Sequence, residues 1–292
     1  MKLNNISRSI SNKISRSISH RIHEVPAALL GGSAWTLADL PGDIADEYFA
    51  AITANSGTIS AGNQAAVLGL LEDLQDAGIL RRMVAVYLYH GNTLNAARLN
   101  VMNPGTWPGA WPITWVGSPT LNASGGFTPA SGKYGSALHP DLAGLTDLHG
   151  GGLGFYSTSN AASAEYTMGL FNEFYLAPKE GSGAYNRLSG TFNAVGANQN
   201  LSGFHFACRE RNSSTIRAYR DGTNYSTVTK AFVTGYGVAS ATAYARVGGM
   251  LDGVTHYTST TPIRLSIVTE GMTVAEVGDL STAIATYIGA LT

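Results

Sequence analysis

PIRLSIVTEGMTVAEVGDLSTAIATYIGAL, Pro262–Leu291, closes the chain and decides how the rest is read. Ile263–Val268 is an apolar, mostly extended run, and Glu270-Gly-Met-Thr273 turns the chain. Beyond it Val274, Val277, Leu280, Ile284, Tyr287, Ile288 and Leu291 recur at spacings of three and four, which predicts an amphipathic helix. Thr273 stands at its N-cap, and Glu276 three residues on completes a capping box. The chain therefore ends in a strand, a turn and a capped helix.

Working back, residues from Thr106 onward alternate in short stretches separated by Gly, Asn, Ser and Pro, the pattern of short strands. The clearest hairpin is Arg217–Asn224, with Asp221-Gly222 as its tight turn. Helical spacing returns upstream, over Ile44–Ala54 and over Ser60–Ala77, with Ser60 as N-cap and Gly78 as C′. Ala65, Leu68, Leu71, Leu74 and Gln75 mark the inner stripe of the second helix. Asp43, Asp46 and Glu47 sit in a first turn, where negative charge favours the helix dipole.

Of the 292 residues 44% are hydrophobic, enough for a core, but only 13% are charged. That is about half the usual share, and with abundant Gly, Ser, Thr, Asn and Tyr it describes a turn-rich β surface rather than a metabolic enzyme. Charge is uneven. Residues 1–24 carry Lys2, Arg8, Lys13, Arg16 and Arg21 against Glu24, while the net charge of the whole chain is −1, so the body is mildly acidic and has no basic footprint for nucleic acid. The one cysteine, Cys208, rules out an intrachain disulfide and lies in an alternating run that predicts a buried small side chain. No run approaches the ~18 apolar residues of a membrane span.

The basic start contains a repeat. Ile6-Ser-Arg-Ser-Ile-Ser11 returns as Ile14-Ser-Arg-Ser-Ile-Ser19, and Ile6, Ile10, Ile14, Ile18 and Ile22 are four apart. A helix would spread them over a broad stripe, and a strand would put them on one face. Serine and isoleucine are mediocre helix formers, so the stripe needs a partner in either form. Residues 1–24 are read as an assembly arm, with a basic leader as the plainer alternative; 25–43 form a linker.

Asn100-Val-Met-Asn-Pro-Gly105, Ile113-Thr-Trp-Val-Gly117, Gly126-Phe-Thr-Pro129, Gly132-Lys-Tyr-Gly-Ser-Ala-Leu138 and the closing segment follow one another in an order that resembles virion proteins of tailed phages and gene-transfer agents with a laminin-G-like, concanavalin-like jelly roll. Tyr244-Ala-Arg-Val-Gly-Gly249 is similar to the strand that follows the hairpin in such domains. The resemblance covers roughly residues 44–292. It implies a mainly β fold: an antiparallel two-sheet jelly-roll sandwich over 104–292 closed by the C-terminal helix, behind a small helical subdomain at 44–103 in which Leu80–Leu88 is a third helix. It also implies a virion location, virion proteins as partners, and a homo-oligomer, by analogy with fibres a trimer.

Chemistry is sparse. Glycosidases need a carboxylate pair about 5–5.5 Å apart, or wider for inversion. Related glucanases carry theirs in a Glu-x-Asp-x-x-Glu strand, whereas Glu165, Glu173, Glu180, Glu210 and Asp252 are scattered singly here. The chain is therefore expected not to be an enzyme. Gly150-Gly-Gly-Leu-Gly154 leads towards a strand and not a helix, so it is read as a turn or exposed loop and not as a phosphate loop. No cofactor is expected. The resemblance leaves room for calcium at a sandwich rim, where Asp141 and Asp147, flanked by His139 and His149, are the candidates. Trp107, Trp111 and Trp115, four apart in a proline-broken loop, and Tyr225 are candidate glycan contacts, since aromatic faces bind sugar C–H surfaces. The plainer reading is that the tryptophans pin the helices to the sandwich. The resulting expectation is a fibre, spike or tail-tip protein anchored by its arm, with an outward sandwich that binds host saccharide. Its rivals are a decoration protein and a polysaccharide-degrading enzyme.

Overall fold

The computed structural model describes residues 41–104, 112–122, 125–138, 151–159, 168–170, 174–180, 183–188, 191–194, 199–210, 213–229, 244–252, 255–258 and 260–292. Helices α1 (Pro41–Ala54) and α2 (Ala61–Asp76) come first, then strand β1 (Met83–Tyr87) and the short helix α3 (Leu94–Ala97). The strands that follow are β2 (Thr114–Val116), β3 (Thr120–Leu121), β4 (Phe127–Thr128), β5 (Tyr134–Leu138), β6 (Gly151–Ser157), β7 (Met168–Leu170), β8 (Phe174–Glu180), β9 (Gly183–Leu188) and β10 (Thr191–Ala194). After them come β11 (Gly203–Arg209), β12 (Thr215–Arg220), β13 (Thr223–Thr229), β14 (Tyr244–Val247), β15 (Gly249–Asp252), β16 (Thr255–Thr258), β17 (Ile263–Glu270) and helix α4 (Val274–Ala290).

Among the described residues the strands form two sheets. The first runs β13-β12-β11-β6-β17-β4-β3, with β1 also on β17; the second runs β10-β9-β8-β7-β14-β5-β2 and carries β15 and β16. Pairing is antiparallel apart from one parallel bridge between β15 and β7. The mainly β, two-sheet architecture with helices before and after it is the one expected.

The first sheet is central because both of its faces are covered. Along β11, Phe204, Phe206 and Cys208 face one way, where they meet Val277, Leu280, Ile284 and Tyr287 of α4 and Val67, Leu70 and Leu74 of α2 in one core. Ala207 faces the other way, into a second core with Leu153 and Phe155 of β6 and with Leu176 and Val247 of the second sheet. The order is thus helices, sheet, sheet. Strand residues alternate between the faces, so with both faces dry β11 is buried from end to end, including the polar His205 and Arg209.

The local signals are met where they are strongest. Thr273 Oγ1 accepts from the Glu276 amide at 3.3 Å, and the Glu276 carboxylate accepts from the Thr273 amide at 2.7 Å, which is the predicted capping box. The Ser60 hydroxyl accepts from the Asn63 amide at 3.1 Å, and Gly78 takes φ +70° just past the end of α2. Asp221 (φ 48°) and Gly222 (φ 78°) both take left-handed conformations between β12 and β13, as a two-residue hairpin requires.

Three expectations are corrected. Leu80–Leu88 is not a helix: a 3-10 turn at Leu80–Arg82 leads into β1, which pairs with β17. An apolar run this short carries no period of its own, and its partner lies at the far end of the chain. In α2 the buried positions are Asn63, Ala66, Val67, Leu70, Leu71 and Leu74, while Ala65 and Gln75 are exposed. The small alanines give the stripe a weak phase. Gly151, Gly152 and Gly154 are neither turn nor exposed loop but the buried first half of β6. A Cβ on Gly152 would lie 2.5 Å from Phe206 Cζ and 2.4 Å from Thr269 Oγ1, and one on Gly154 2.8 Å from Phe206 Cδ2. The β11 rings lie over the glycines, which leave the space for them.

Arg82 ties the helical layer to the closing segment. Its Nε donates to Glu276 at 2.8 Å and its Nη1 to Glu270 at 3.3 Å. Asn100, in the first motif of the resemblance, accepts from the Val86 and Met102 amides at 2.9 and 3.1 Å and so fixes the chain beside β1.

Candidate functional site

Between the tip of the β12–β13 hairpin and the side of α4 lies a cleft of about 510 Å³. Its walls come from three places distant in sequence. β6 and β11 contribute Tyr156 and Phe204, the hairpin contributes Asp221, Gly222 and Thr223, and α4 contributes Gly278, Ser281, Thr282, Ala285 and Thr286. The helical positions fall at spacings of three and four and form a stripe beside the buried one, so α4 seals the core with one face and lines the cleft with the next. That second stripe is made of small residues. Gly278 contributes no side chain at all, and a Cβ there would meet nothing within 4 Å. Neither packing nor backbone conformation demands glycine at this point, and a glycine inside a helix costs about 1 kcal/mol relative to alanine. Its effect is to leave the cleft wall bare.

Asp221 is held firmly. Its amide donates to the Phe204 carbonyl at 2.8 Å, and its Oδ1 accepts from the Phe204 amide at 2.8 Å. Gly203, at φ +112°, makes room, since a Cβ there would sit 2.6 Å from Asp221 Oδ2. The carboxylate is half exposed, and Arg220 Nε, which donates to the Ser202 carbonyl at 3.1 Å, lies 3.6 Å from Oδ2. Opposite it, Ser281 Oγ donates to the Val277 carbonyl at 2.8 Å, Thr282 Oγ1 to the Gly278 carbonyl at 3.0 Å and Thr286 Oγ1 to the Thr282 carbonyl at 3.1 Å. Tyr156 is half-buried and offers the aromatic surface. The arrangement is suited to holding a polar, uncharged ring by hydrogen bonds and contact with an aromatic side chain.

The residues singled out from sequence lie elsewhere. Trp115 is half-buried on β2: its indole N–H donates to the Leu94 carbonyl at 2.7 Å, and its ring stands edge-on to Phe127 at 5.0 Å. It packs the helical connection to the sandwich. Tyr225, on β13, has a buried hydroxyl with no hydrogen-bond partner among the described residues, and burial pushes its pKa up. Trp107, Trp111, Asp141, Asp147, Glu165, Glu173 and the arm isoleucines Ile6, Ile10, Ile14, Ile18 and Ile22 lie outside the described residues. Glu210 accepts from Arg217 Nε at 2.7 Å. Cys208 is buried in the helix-side core, which pushes its thiol up to about 12. Among the described residues no three His, Cys, Asp or Glu side chains converge on a metal position, and no helix is long and apolar enough to cross a membrane.

The sequence reading missed the cleft. Asp221 was visible only as a turn residue, and the Gly278, Thr282 and Thr286 series, four apart on the polar side of α4, was the available signal.

No family model matches the chain, and no curated protein matches it in sequence. Solved structures do. A mutant Trypanosoma rangeli sialidase displaying trans-sialidase activity is similar at TM-score 0.50 and 9% identity, over 78% of this chain and 40% of that one. A structure of botulinum neurotoxin type C, whose cell entry depends on two ganglioside molecules, is similar at TM-score 0.44 and 8% identity, over 72% and 53%. The carbohydrate-binding module of a Ruminococcus gnavus sialidase, bound to α2,3 sialyllactose, is similar at TM-score 0.41 and 13% identity, over 54% and 96%. The chain thus spans well under half of the sialidase it resembles. The likeness to the sialidase supports a β-sandwich of a kind that sialidases contain, and it corrects the expectation that the chain is not an enzyme. That expectation rested on the lack of a paired-carboxylate strand, but catalytic groups can converge from separate loops, and this is a fold that sialidases contain.

Proposed function

We propose that this chain is a saccharide-binding sandwich carried on the surface of a tailed-phage or gene-transfer-agent particle, anchored by its N-terminal arm. The observation that carries the binding reading is the cleft: an aromatic side chain, a fixed carboxylate and a stripe of small hydroxyl residues around one open space. The virion location rests on the order of motifs from Asn100 to Leu291 and on the isoleucine repeat of the arm.

Binding is tested on a glycan array and on immobilised host-surface polysaccharide with the full chain and its Gly278→Trp variant. The indole fills the cleft from an open helical position. The expected result is retention with ~mM to µM affinity per site, strengthened when many copies sit on one particle, and loss of retention in the variant at unchanged thermal stability. Absence of retention moves the protein to a decoration role, and equal retention by the variant removes the cleft as the binding site. Deleting residues 1–24 is expected to leave a folded body that no longer joins particles; unchanged incorporation refutes the anchor.

A further inference from the structure

We propose that the cleft selects uncharged, hydroxyl-rich saccharides over carboxylated ones, an inference that rests on the saccharide reading above. The reason lies in which atoms its walls present. Ser281, Thr282 and Thr286 spend their hydroxyl hydrogens on the α4 carbonyls of Val277, Gly278 and Thr282, so their lone pairs are what remains to face a ligand. Asp221 accepts only: its Oδ1 is engaged by the Phe204 amide, and its Oδ2, 3.6 Å from Arg220 Nε, belongs to a carboxylate that is half exposed. The hydroxyls of Tyr156 and Thr223 can turn either way. Among the described residues no lysine, arginine or histidine lines the cleft; Arg220, whose Nε lies 3.6 Å from Asp221 Oδ2, is not among its walls and donates to the Ser202 carbonyl.

A wall of acceptors asks its ligand for donors. Sugar hydroxyls supply them: different hydroxyls of one saccharide can donate to Asp221 and to Thr282 or Thr286. A carboxylate brings acceptors only and places them against the lone pairs of the Asp221 carboxylate and of the α4 hydroxyls. Such mismatches lower affinity for the wrong ligand more than they raise it for the right one. Gly278 adds no side chain to the cleft wall, whereas at Gly222 the hairpin comes close to α4, since a Cβ there would lie 3.3 Å from Ser281 Cβ.

The test uses matched polymers, dextran and carboxymethyl-dextran, and lactose and sialyllactose presented on beads. The proteins are the full chain, Asp221→Asn and Gly278→Trp. Asparagine tolerates the left-handed turn position and its carbonyl can still accept from the Phe204 amide, so that variant tests charge with the fold kept. The expected result is retention on a neutral member about threefold to tenfold stronger than on its carboxylated partner, with the gap narrowed by Asp221→Asn and all retention removed by Gly278→Trp. Equal or stronger retention on the carboxylated members, still blocked by Gly278→Trp, overturns the selectivity and leaves the binding reading standing. Retention on none of these polymers or on the glycan array overturns the binding reading and this inference with it, and retention indifferent to Gly278→Trp overturns the cleft as the site and so this inference.

Discussion

On the helix side of the central sheet, Phe204 and Phe206 stack at 5.8 Å over the bare glycines of β6 and against α4; on the other side, Phe155 stacks on His205 at 5.3 Å against the second sheet. The helix face is closed by an element whose beginning and phase are written locally, in a capping box and a stripe. The sandwich face is closed by strands whose partners lie far along the chain. A sheet covered twice in this way has little room for adjustment at its centre and more at the helix surface, where the cleft is cut.

Breaking the centre should cost most. Gly152→Val places a branched side chain where Phe206 and Thr269 already are, and it is expected to destabilise by about 3–5 kcal/mol or to prevent folding, read from denaturant unfolding. Gly278→Trp, a larger change at an open helical glycine, should leave the unfolding midpoint where it is. A mild effect of Gly152→Val would mean that the rings can move aside and that the centre is not tightly packed. Next comes the helix seal. Leu280 is buried against the sheet, so Leu280→Ala should cost about 2–5 kcal/mol.

Each face also hides a histidine. His90 Nε2 lies 2.7 Å from the Tyr287 hydroxyl on the helix side, and His205 Nε2 lies 2.9 Å from the Asn200 carbonyl on β11. Burial, with a smaller effect of Arg264, lowers His90 to about 4, and burial lowers His205 to about 4 against the hydrogen bond to Asn200. Both are neutral in the folded protein, and protonation favours the unfolded chain. The stability they contribute is therefore complete above about pH 6.5 and lost as pH falls towards 4, by up to about 3 kcal/mol each. Urea midpoints at pH 7.5 and 4.5 measure the sum, and His90→Gln should remove the helix-side share alone. A pH-independent midpoint contradicts both burials. The smallest effect is the cap: Thr273→Ala should lower stability by about 1 kcal/mol and leave the sandwich core untouched.

What was legible in the sequence follows the same division. Caps, the Asp221-Gly222 hairpin and the stripe of α4 are contacts between near neighbours, and residues a few positions apart declare them. β1 was misread because its apolar run gains its identity only from β17, and the β6 glycines because their reason, the rings of Phe204 and Phe206, lies on another strand. The cleft shows the same limit. Tyr156, Asp221 and Thr282 are ordinary residues in isolation and meet only because β6 pairs with β11 and α4 lies across them. The tryptophan cluster drew attention instead, and its described member, Trp115, is occupied in packing.

The most direct test of the cleft is to titrate the isotope-labelled full chain with a neutral oligosaccharide that it retains and to follow backbone amide shifts. The account predicts that perturbations gather at Tyr156, at Asp221–Thr223 and along Gly278–Thr286, with Trp115 unmoved. Perturbations centred on the second sheet or on the loop around Trp115, with the cleft residues silent, would contradict it.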